Sequence, residues 1–463
     1  MMKKEVVTIS YSMGELARRF VADACETHEQ FNRIDPEHYE NSNVKRGLRN
    51  ADGTGVLAGF TRIGSVQGAV LQDGIRVPIE GRLIYRGIDV EELINGFRSE
   101  DRFGFEETCF LLLFGYLPTA DQLKDFLGVL EEMRALPENF FEDMILKAPS
   151  PDVMNKLARS VLALYSYDDT PDIIDLYGLL RQSIGLIARV PVIVAHAYAV
   201  KRHYYDHKSL VLHYPSPGLS TSENFLRSVR PNGRYTKEEA QLLDICMVLH
   251  AEHGGGNNSA FSCRVLTSSG TDTYASISAA IGSLKGPKHG GANAKVMAMF
   301  SEIRENVKDW KDDDELSAYL AKIIRKQAGD GSGLIYGMGH AVYTLSDPRA
   351  VLLKKYARQL AADHNMLDEL NLMESIERLT PKVFATEKGS SKIVSANVDM
   401  YVGLIYQMLS IPQALCTPIF AIARTVGWCA HRIEEAITGG RIIRPAYRSV
   451  AEAAAYVPLP ERG

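Results

Sequence analysis

The sequence lacks a paired-cysteine pattern, a long apolar run and an excess of charge of either sign. Its six cysteines in 463 residues include no CxxC pair, which argues against zinc ribbons and thioredoxin-type sites and fits a reducing compartment. The apolar stretches, such as residues 190–200, are interrupted and shorter than the about 20 residues that span a bilayer. The chain has 52 basic and 57 acidic residues, so its net charge of −5 gives no field that attracts nucleic acid or an anionic membrane.

The first twenty residues lack the features of a targeting segment. They have no apolar core of a signal peptide, and they contain Glu5 and Glu15, acidic residues that transit peptides avoid. We therefore expect a cytoplasmic protein with neither nucleic acid nor a membrane as a partner. Hydrophobic residues make up 46% of the chain and charged residues 24%, a composition that excludes a disordered chain, a fibre and a disulfide-knotted module.

Apolar residues recur at helical spacing along most of the chain, which predicts a nearly all-α protein. At about 150 residues per domain, the length predicts about three units, or one large body with a smaller satellite. Asp347 and Pro348 predict the N-cap and first residue of a helix that ends near Ala362. The other predicted helices are residues 105–114, 120–135, 154–167, 173–200, 237–250, 274–284, 294–307 and 316–326.

An extended pattern occurs only in residues 66–86, which predicts one or two short β-hairpins. Strands do not alternate with helices, so a doubly wound sheet is a poor fit. Three stretches rich in turn-forming residues predict loops, namely residues 212–234, 329–348 and 380–398. The last two could be seams at which a smaller helical domain hinges on a larger one.

Two histidine-containing segments combine a titratable ring with exposed backbone. In HAEHGGGNNS, His250 and His253 end an apolar helix at glycines that let a ligand approach the main chain. For a lone histidine, a helix C-terminus with a hydrogen-bonded ring is the more common explanation, and the spacing is not the HExxH of a zinc site. In GPKHGGAN, small neighbours offer His289 nothing to pack on, so we expect its imidazole to face a cavity.

Two further segments place polar residues where packing alone does not explain them. In GMGHAVY, His340 follows a glycine pair, and Arg349 begins the next predicted helix. GxG alone is a weak signal, but with these two residues it predicts an anion site with a titratable donor. In NVDMY, Asp399 lies in an apolar run, where an acid is costly unless it is paired or used in chemistry.

Three arginines complete the set of candidate residues. Arg424 is embedded in the apolar helix FAIARTVGW, and Arg441 and Arg444 lie in GRIIRP. Each could form a structural ion pair, or it could bind a carboxylate bidentately. If two or three converge, they suit a dicarboxylate or tricarboxylate substrate.

Histidines, a buried acid and arginines, without metal-ligand spacing or a nucleophilic Ser or Cys, favour one type of reaction. An acid removes a proton next to a carbonyl, neutral imidazoles donate hydrogen bonds to the enolate and to an electrophilic carbonyl, and arginines hold carboxylates. Condensation of a dicarboxylate keto acid with an activated acyl group uses all of these groups.

The segments GPKHGGAN, GMGHAVYTLSDPRA, NVDMYVG and FAIARTVGWCAH, in this order, resemble the citrate synthase family over about residues 81–447. The resemblance implies an all-α homodimer with a large domain, residues 1–289 and 399–463. It also implies a smaller inserted helical domain, residues 290–398, that closes on oxaloacetate before acetyl-CoA binds. The implied reaction is condensation of acetyl-CoA, oxaloacetate and water to citrate and CoA, the first step of the tricarboxylic acid cycle, with no cofactor and no metal.

The resemblance also implies roles for the site residues. His289 would hydrogen-bond the enol of acetyl-CoA, His340 would polarise and protonate the oxaloacetate carbonyl, and Asp399 would remove the methyl proton. Oxaloacetate would be bound by His253, Arg349 and Arg424, and by Arg444 from the neighbouring protomer. The backbone of Gly337, Met338 and Gly339 would contact the adenine end of CoA.

The sequence departs from the family pattern at a few positions. The glycine run after His253 is one residue longer than in many relatives, so either Asn257 or Asn258 takes the family's asparagine position. Thr344 stands where some relatives place an arginine for the CoA phosphates. Lys388 or Lys392 could substitute for it, or each could be an ordinary solvated lysine.

Other functions fit the sequence less completely. A 2-methylcitrate synthase, which uses propionyl-CoA, would share the chemistry, since one methylene is worth only about 1–3 kcal/mol in a pocket. A non-catalytic helical scaffold would explain the core but not His289, His340 and Asp399 together. A metal hydrolase would need ligand spacing that the sequence does not have.

Overall fold

The computed structural model describes residues 14–40, 42–50, 52–73, 75–340, 342–389 and 394–462, and within these it is predominantly helical. The helices are α1 Glu15–Asn32, α2 Glu37–Glu40, α3 Val90–Ser99, α4 Phe105–Phe114, α5 Ala120–Met133, α6 Val153–Ala163, α7 Leu176–Tyr205, α8 Thr221–Val229, α9 Lys237–His250, α10 Asn258–Ser268, α11 Thr273–Lys285, α12 Ala292–Asn306, α13 Asp313–Ile324, α14 Pro348–Asp363, α15 Leu367–Lys388, α16 Asp399–Met408 and α17 Cys416–Thr438. The all-α prediction is therefore confirmed.

The strands of the described residues form one antiparallel sheet in the order β1-β2-β3, with β1 Gly64–Gln72, β2 Ile75–Tyr85 and β3 Ile88–Asp89. The hairpin predicted over residues 66–86 is thus confirmed. Its register shifts between Gln67 and Ala69, where Gln67 pairs with Arg82 but Ala69 pairs with Pro78. A bulge of this kind bends a strand and re-aims its residues.

Contacts divide the chain into two compact units. One consists of Met1–Gly59 and Arg444–Gly463, and the other of Phe60–Ile443. In the first unit, α1 is exposed along its described side chains, and Leu16 and Phe20 are 74% and 70% exposed. The domain boundaries expected at residues 290 and 398 concern a hinge between helices, and they stay a prediction.

The core of the unit Phe60–Ile443 includes two helices, α17 and α9, that are buried along most of their length. Helix α17 packs against α7, α9, α10 and α11, and it is buried from Cys416 to Ile433. Helix α9 begins at a capping box, in which Thr236 and Glu239 satisfy each other's backbone N–H groups, and it is buried from Glu239 to His250. The C-terminal end of α9 and the middle of α17 therefore bring polar residues into a dry interior.

The helix predictions are confirmed with small differences at the ends. Helices α4 and α9 have the predicted bounds, and Asp347 caps α14 by accepting a hydrogen bond from the Arg349 N–H at 3.0 Å. The loop predicted over residues 380–398 is wrong in its first part, because α15 continues to Lys388 despite Pro381. Thr380 there is buried and donates to the Ile376 carbonyl, so tertiary packing overrides the helix-breaking tendency of proline.

One helix among the described residues, α7, is long and apolar enough to cross a membrane. Its most apolar window is 89% buried within the protein, and it packs against α5, α6, α8 and α17. Core packing therefore accounts for its composition.

Candidate active site

The candidate residues come from five separate parts of the unit Phe60–Ile443. His250 ends α9 and His253 follows it, whereas His289 lies in the turn between α11 and α12. His340 lies in the loop before α14, whose second residue is Arg349. Asp399 is the first residue of α16, and Arg424 lies in the middle of α17.

His253 and His340 face each other at the centre of this group. Their ring centroids are 5.3 Å apart in an edge-to-face arrangement, and the buried His253 Nε2 has no hydrogen-bond partner among the residues that the structure describes. Burial, followed by the nearby positive charge of Arg349, holds the pKa of His253 well below its usual value. The ring is therefore neutral, and a ligand group can fill the open hydrogen-bonding position.

The hydrogen bonds of His340 determine its tautomer. Its Nδ1 accepts from the backbone N–H groups of Val342 at 3.0 Å and Tyr343 at 3.1 Å. Since Nδ1 is an acceptor in both bonds, the neutral ring carries its hydrogen on Nε2. The Tyr343 ring stacks on the imidazole with 4.7 Å between centroids, which fixes the plane in which Nε2–H donates.

His289 is held by a buried serine. Its Nε2 lies 2.9 Å from the Ser259 Oγ, which also accepts from the Trp428 indole N–H at 3.1 Å and lies 2.9 Å from the Asn257 Oδ1. The serine donates its single hydrogen to the Asn257 Oδ1, so it accepts from the His289 Nε2–H, and the Nδ1 of this ring is left as an acceptor. Burial, followed by the charge of Arg424, lowers the pKa of His289 to about 4, so this ring is also neutral.

This network bears on the two asparagines that the sequence left open. Asn257 joins the Ser259–His289 network, whereas the Asn258 Oδ1 accepts from Ser283 at 2.6 Å in an exposed position. Asn257 is therefore the one connected to the candidate site.

The two buried arginines of the group differ in how they are paired. Arg349 donates to Asp347 through two bonds of 3.0 and 2.7 Å, and the Asp347 carboxylate also accepts from the Val398 N–H at 3.2 Å. Arg424 is fully buried and donates only its Nε–H, to the His250 carbonyl at 2.6 Å. Its two terminal nitrogens have no partner among the described residues, so the four N–H groups that they carry are open to an acceptor group such as a carboxylate.

Asp399 combines burial with a low hydrogen-bond count. Its backbone N–H donates to the Asn397 side chain at 3.0 Å, and its carboxylate accepts no hydrogen bond from the residues that the structure describes. Burial raises the pKa of Asp399 to about 6, although the charge of Arg349 opposes the shift. A carboxylate of this kind is ionised at neutral pH and basic enough to take a proton.

The glycine-rich segment before His340 binds the chain that leads into Asp399. The Gly339 N–H donates to the Ser395 carbonyl at 2.7 Å, and the Asn397 N–H donates to the Gly337 carbonyl at 2.8 Å. The Met338 N–H donates to the Ile335 carbonyl at 3.2 Å. This segment therefore ties the His340 loop to the start of α16, and its contact with CoA stays a prediction.

The remaining predicted positions belong to other segments of the chain, and one of them is outside the described residues. Arg444 is exposed and belongs to the unit that contains the two termini. Thr344 lies in the loop before α14, Lys388 ends α15, and Lys392 lies outside the described residues. No group of three or more His, Cys, Asp or Glu that could hold a metal ion occurs within the described ranges.

Sequence reasoning missed several residues that shape the site. Phe420 lies against both His250, at 4.4 Å between centroids, and the Arg424 guanidinium, at 4.9 Å. Trp428 lies one turn further along the same helix and reaches Ser259. The spacing of four residues between Phe420, Arg424 and Trp428 is a signal that would have placed all three on one face of α17.

Comparison with known protein families gives one match over most of the chain. The model of the family described as citrate synthase, C-terminal domain, matches residues 51–446. The chain is 32% identical to the citrate synthase of Synechocystis sp. over 431 residues, 91% of this chain and 95% of that one. It is 31% identical to 2-methylcitrate synthase 1 of Corynebacterium glutamicum over 430 residues, 91% of this chain and 99% of that one.

Solved structures show the same likeness. A ternary complex of citrate synthase from Thermoplasma acidophilum with carboxymethyl coenzyme A and oxaloacetate superposes with a TM-score of 0.73 at 26% identity. The match covers 91% of this chain and all of that one. The similarity therefore extends over both the sequence and the fold.

Proposed function

Because the chain belongs to the citrate synthase family, we propose that it condenses acetyl-CoA with oxaloacetate and water to give citrate and CoA. The reaction needs a base for the acetyl methyl group, donors for two carbonyl oxygens and cations for the carboxylates of oxaloacetate. Residues of each kind lie together in the unit Phe60–Ile443.

In the first step, Asp399 takes a proton from the methyl group of acetyl-CoA. A thioester methyl is a very weak acid, so the oxygen on which negative charge develops must receive a hydrogen bond as the proton leaves. His289 supplies it through Nδ1–H once the Ser259 hydroxyl turns from the Asn257 Oδ1 to the ring Nε2, which places the ring hydrogen on Nδ1. A neutral imidazole suits this role, since it can donate without first losing a proton to the substrate.

In the second step, the enol carbon attacks the keto carbon of oxaloacetate. The Nε2–H of His340 donates to the keto oxygen and delivers the proton that makes it the hydroxyl of citryl-CoA. Arg424 and Arg349 bind the carboxylates of oxaloacetate, and His253 donates to its oxygen atoms through the open ring position. Water then hydrolyses the thioester to release CoA and citrate.

The observation that carries this proposal is the unpartnered end of Arg424. A fully buried guanidinium with two free nitrogens costs stability in a protein that uses it only for packing. A carboxylate ligand removes that cost. A non-catalytic scaffold would have no reason to keep such a group next to three neutral histidines.

Steady-state assays with purified protein test the proposal directly. CoA release is measured with oxaloacetate and either acetyl-CoA or propionyl-CoA, and we expect acetyl-CoA to give the higher kcat/KM. A higher kcat/KM with propionyl-CoA would make the chain a 2-methylcitrate synthase, which the likeness to the Corynebacterium glutamicum protein keeps as the second candidate. If CoA is released from neither acetyl-CoA nor propionyl-CoA, both candidate functions are overturned.

We also propose that the protein is a homodimer in which Arg444 completes the site of the neighbouring protomer. The support is the family resemblance and the position of Arg444 in an exposed C-terminal segment. Mixing inactive Arg444→Ala with inactive Asp399→Asn should then restore part of the activity, because hybrid dimers contain one intact site. If the subunits exchange and no activity returns, the shared site is wrong.

A further inference from the structure

Two segments of the candidate site pack against the same strand of the β-hairpin, β1. Gly64, Val66 and Gly68 alternate along β1, so they share one face of the strand. A Cβ at Gly64 would lie 2.9 Å from the Glu252 Cγ, and the Val66 side chain approaches Gly254 within 3.4 Å of a Cβ position. This half of the face therefore supports the segment that contains His253.

The other half of the face supports the loop that contains His340. A Cβ at Gly68 would lie 2.3 Å from the Val342 carbonyl oxygen and 2.9 Å from the Tyr343 Cα. Gly81, on the facing strand β2, leaves the same kind of space, since its Cβ would lie 2.2 Å from the Ser346 carbonyl oxygen. Both glycines are therefore required by close backbone approach.

The irregular register brings the two glycines to one place. Gly68 is the single residue of β1 between the pairs Gln67–Arg82 and Ala69–Pro78, and Gly81 belongs to the longer stretch that faces it on β2. The Gly81 N–H donates to the Ser346 Oγ at 3.2 Å, which adds a directed bond to the close contact. The two glycines thus leave room at the bulge for the backbone of the loop that contains His340 to pack closely against the hairpin.

We propose that the β1–β2 hairpin is a positioning element of the active site, which sets the spacing between His253 and His340. Gly64, Gly68 and Gly81 are its positioning residues, and none of them needs to touch a substrate. The hairpin is near neither residue in sequence, yet it contacts the backbone next to both. The 5.3 Å between the two rings then depends on the hairpin as well as on the loops themselves.

The size of the displacement follows from ordinary contact distances. Moving the Val342 oxygen from 2.3 Å to the 3.4 Å of normal van der Waals contact shifts the loop by about 1.1 Å. A misplacement of about 1 Å in a catalytic group costs on the order of 100-fold in rate. At Gly64 the neighbour is the Glu252 side chain rather than backbone, and a shift of about 0.5 Å from 2.9 Å restores ordinary contact, so the same substitution requires less movement.

Four alanine variants give a graded test. We expect Gly68→Ala and Gly81→Ala to lower kcat/KM for oxaloacetate roughly 100-fold at a temperature where both are folded. Gly64→Ala should lower it by only about threefold. Gly96→Ala is the matched control, because this helical glycine has nothing within 4 Å of its Cβ position, and it should keep full activity.

Crystal structures of the same variants separate positioning from a loss of stability. In Gly68→Ala or Gly81→Ala, we expect the distance between the His253 and His340 rings to change by about 1 Å, while Gly96→Ala leaves it at 5.3 Å. An unchanged ring distance, or full kcat/KM in both hairpin variants, overturns the inference, even if their Tm falls.

The activity readout rests on the proposed function, whereas the ring distance does not. If the unmodified protein is inactive with both thioesters, the proposed function fails, and the ring distance in the variants still decides whether the hairpin positions these two histidines.

Discussion

Helix α17 contains two fully buried arginines that differ in how many of their N–H groups have hydrogen-bond partners. Arg424 is 0% exposed and Arg432 is 1% exposed, two turns further along the helix. Arg432 donates to the hydroxyls of Thr273, Thr267 and Ser276 and to the Thr271 carbonyl, at 2.8 to 3.2 Å. Arg424 donates through Nε alone and leaves both terminal nitrogens without a partner.

Two buried carboxylates show the same contrast. Asp244 accepts hydrogen bonds from the Gly104 N–H at 2.7 Å and the Phe105 N–H at 3.3 Å, so it caps the start of α4. Asp399 has a pKa that burial likewise raises, but its carboxylate accepts no such bond within the described part of the chain. In the candidate site, Arg424 and Asp399 are therefore left incompletely bonded by the described residues, whereas the regions around Arg432 and Asp244 satisfy these two groups.

The largest effect that separates the two regions is expected in kcat. Asp399→Asn keeps the shape and removes the base, so kcat should fall by two to four orders of magnitude while oxaloacetate binding stays nearly unchanged. Asp244→Asn is the matched control and should keep kcat within about twofold. Acetyl-proton exchange in the presence of a non-reacting oxaloacetate analogue, followed by NMR, isolates the step. Exchange at the unmodified rate in Asp399→Asn would mean that another group takes the proton.

Replacing Arg424 should lower activity, whereas replacing Arg432 should lower stability. Arg424→Met removes a carboxylate ligand, so kcat/KM for oxaloacetate should fall about 100- to 1000-fold with little loss of Tm. Arg432→Met leaves several buried oxygens without their donor, and it should lower the free energy of unfolding by about 3 kcal/mol while kcat/KM changes little. Kinetics and thermal unfolding of both variants measure this. The contrast fails if Arg432→Met loses activity and keeps its Tm.

The pH dependence of activity should come from the site region. Only ionised Asp399 can accept a proton, and its pKa is about 6, so kcat/KM for acetyl-CoA should fall tenfold per pH unit below about pH 6. An unbound carboxylate at the usual value would place this limb two units lower. Measuring kcat/KM for acetyl-CoA between pH 5 and 7 tests this expectation. The Asp244→Asn variant should show the same fall at low pH as the unmodified protein. A flat profile over this range contradicts the role of Asp399.

His196 is the exception to this contrast, and the smallest expected effect is its contribution to the pH dependence of stability. Both of its ring nitrogens are buried without partners in the described part of the chain, but burial is the cause that lowers its pKa to about 4, with no contribution from a charged group. Below pH 6.5 the unfolded chain binds a proton that the folded ring refuses, so stability falls as the pH is lowered towards 4.

At pH 5.5 this amounts to about 1.4 kcal/mol, the equivalent of one pH unit. Denaturant unfolding at pH 7.5 and 5.5 should therefore show a smaller pH-dependent loss in His196→Leu than in the unmodified protein. Equal losses in the two proteins would mean that other groups account for the acid sensitivity. Full activity of His196→Leu would agree with a partnerless ring that lies outside the site.

Local sequence predicts most of the secondary structure because caps and apolar periodicity act over a few residues. The Asp347–Pro348 start of α14 and the bounds of α4 and α9 illustrate this. The prediction failed at Thr380, where a buried hydroxyl and core packing keep α15 helical through Pro381. The prominence of His289, His340 and Asp399 was also visible, because glycine-flanked histidines and an acid in an apolar run are poorly explained by packing.

By itself, the sequence determined the helices, the family and the polar residues that are costly to bury. The tertiary structure alone decided which of these residues are left open for a ligand. Arg424 and Arg432 lie on the same buried stretch of α17, and the groups that satisfy Arg432 lie 156 to 165 residues away in the chain. Hydrogen-bond partners, tautomers and the hairpin surface under His340 all depend on such distant contacts, and helical periodicity carries no information about them.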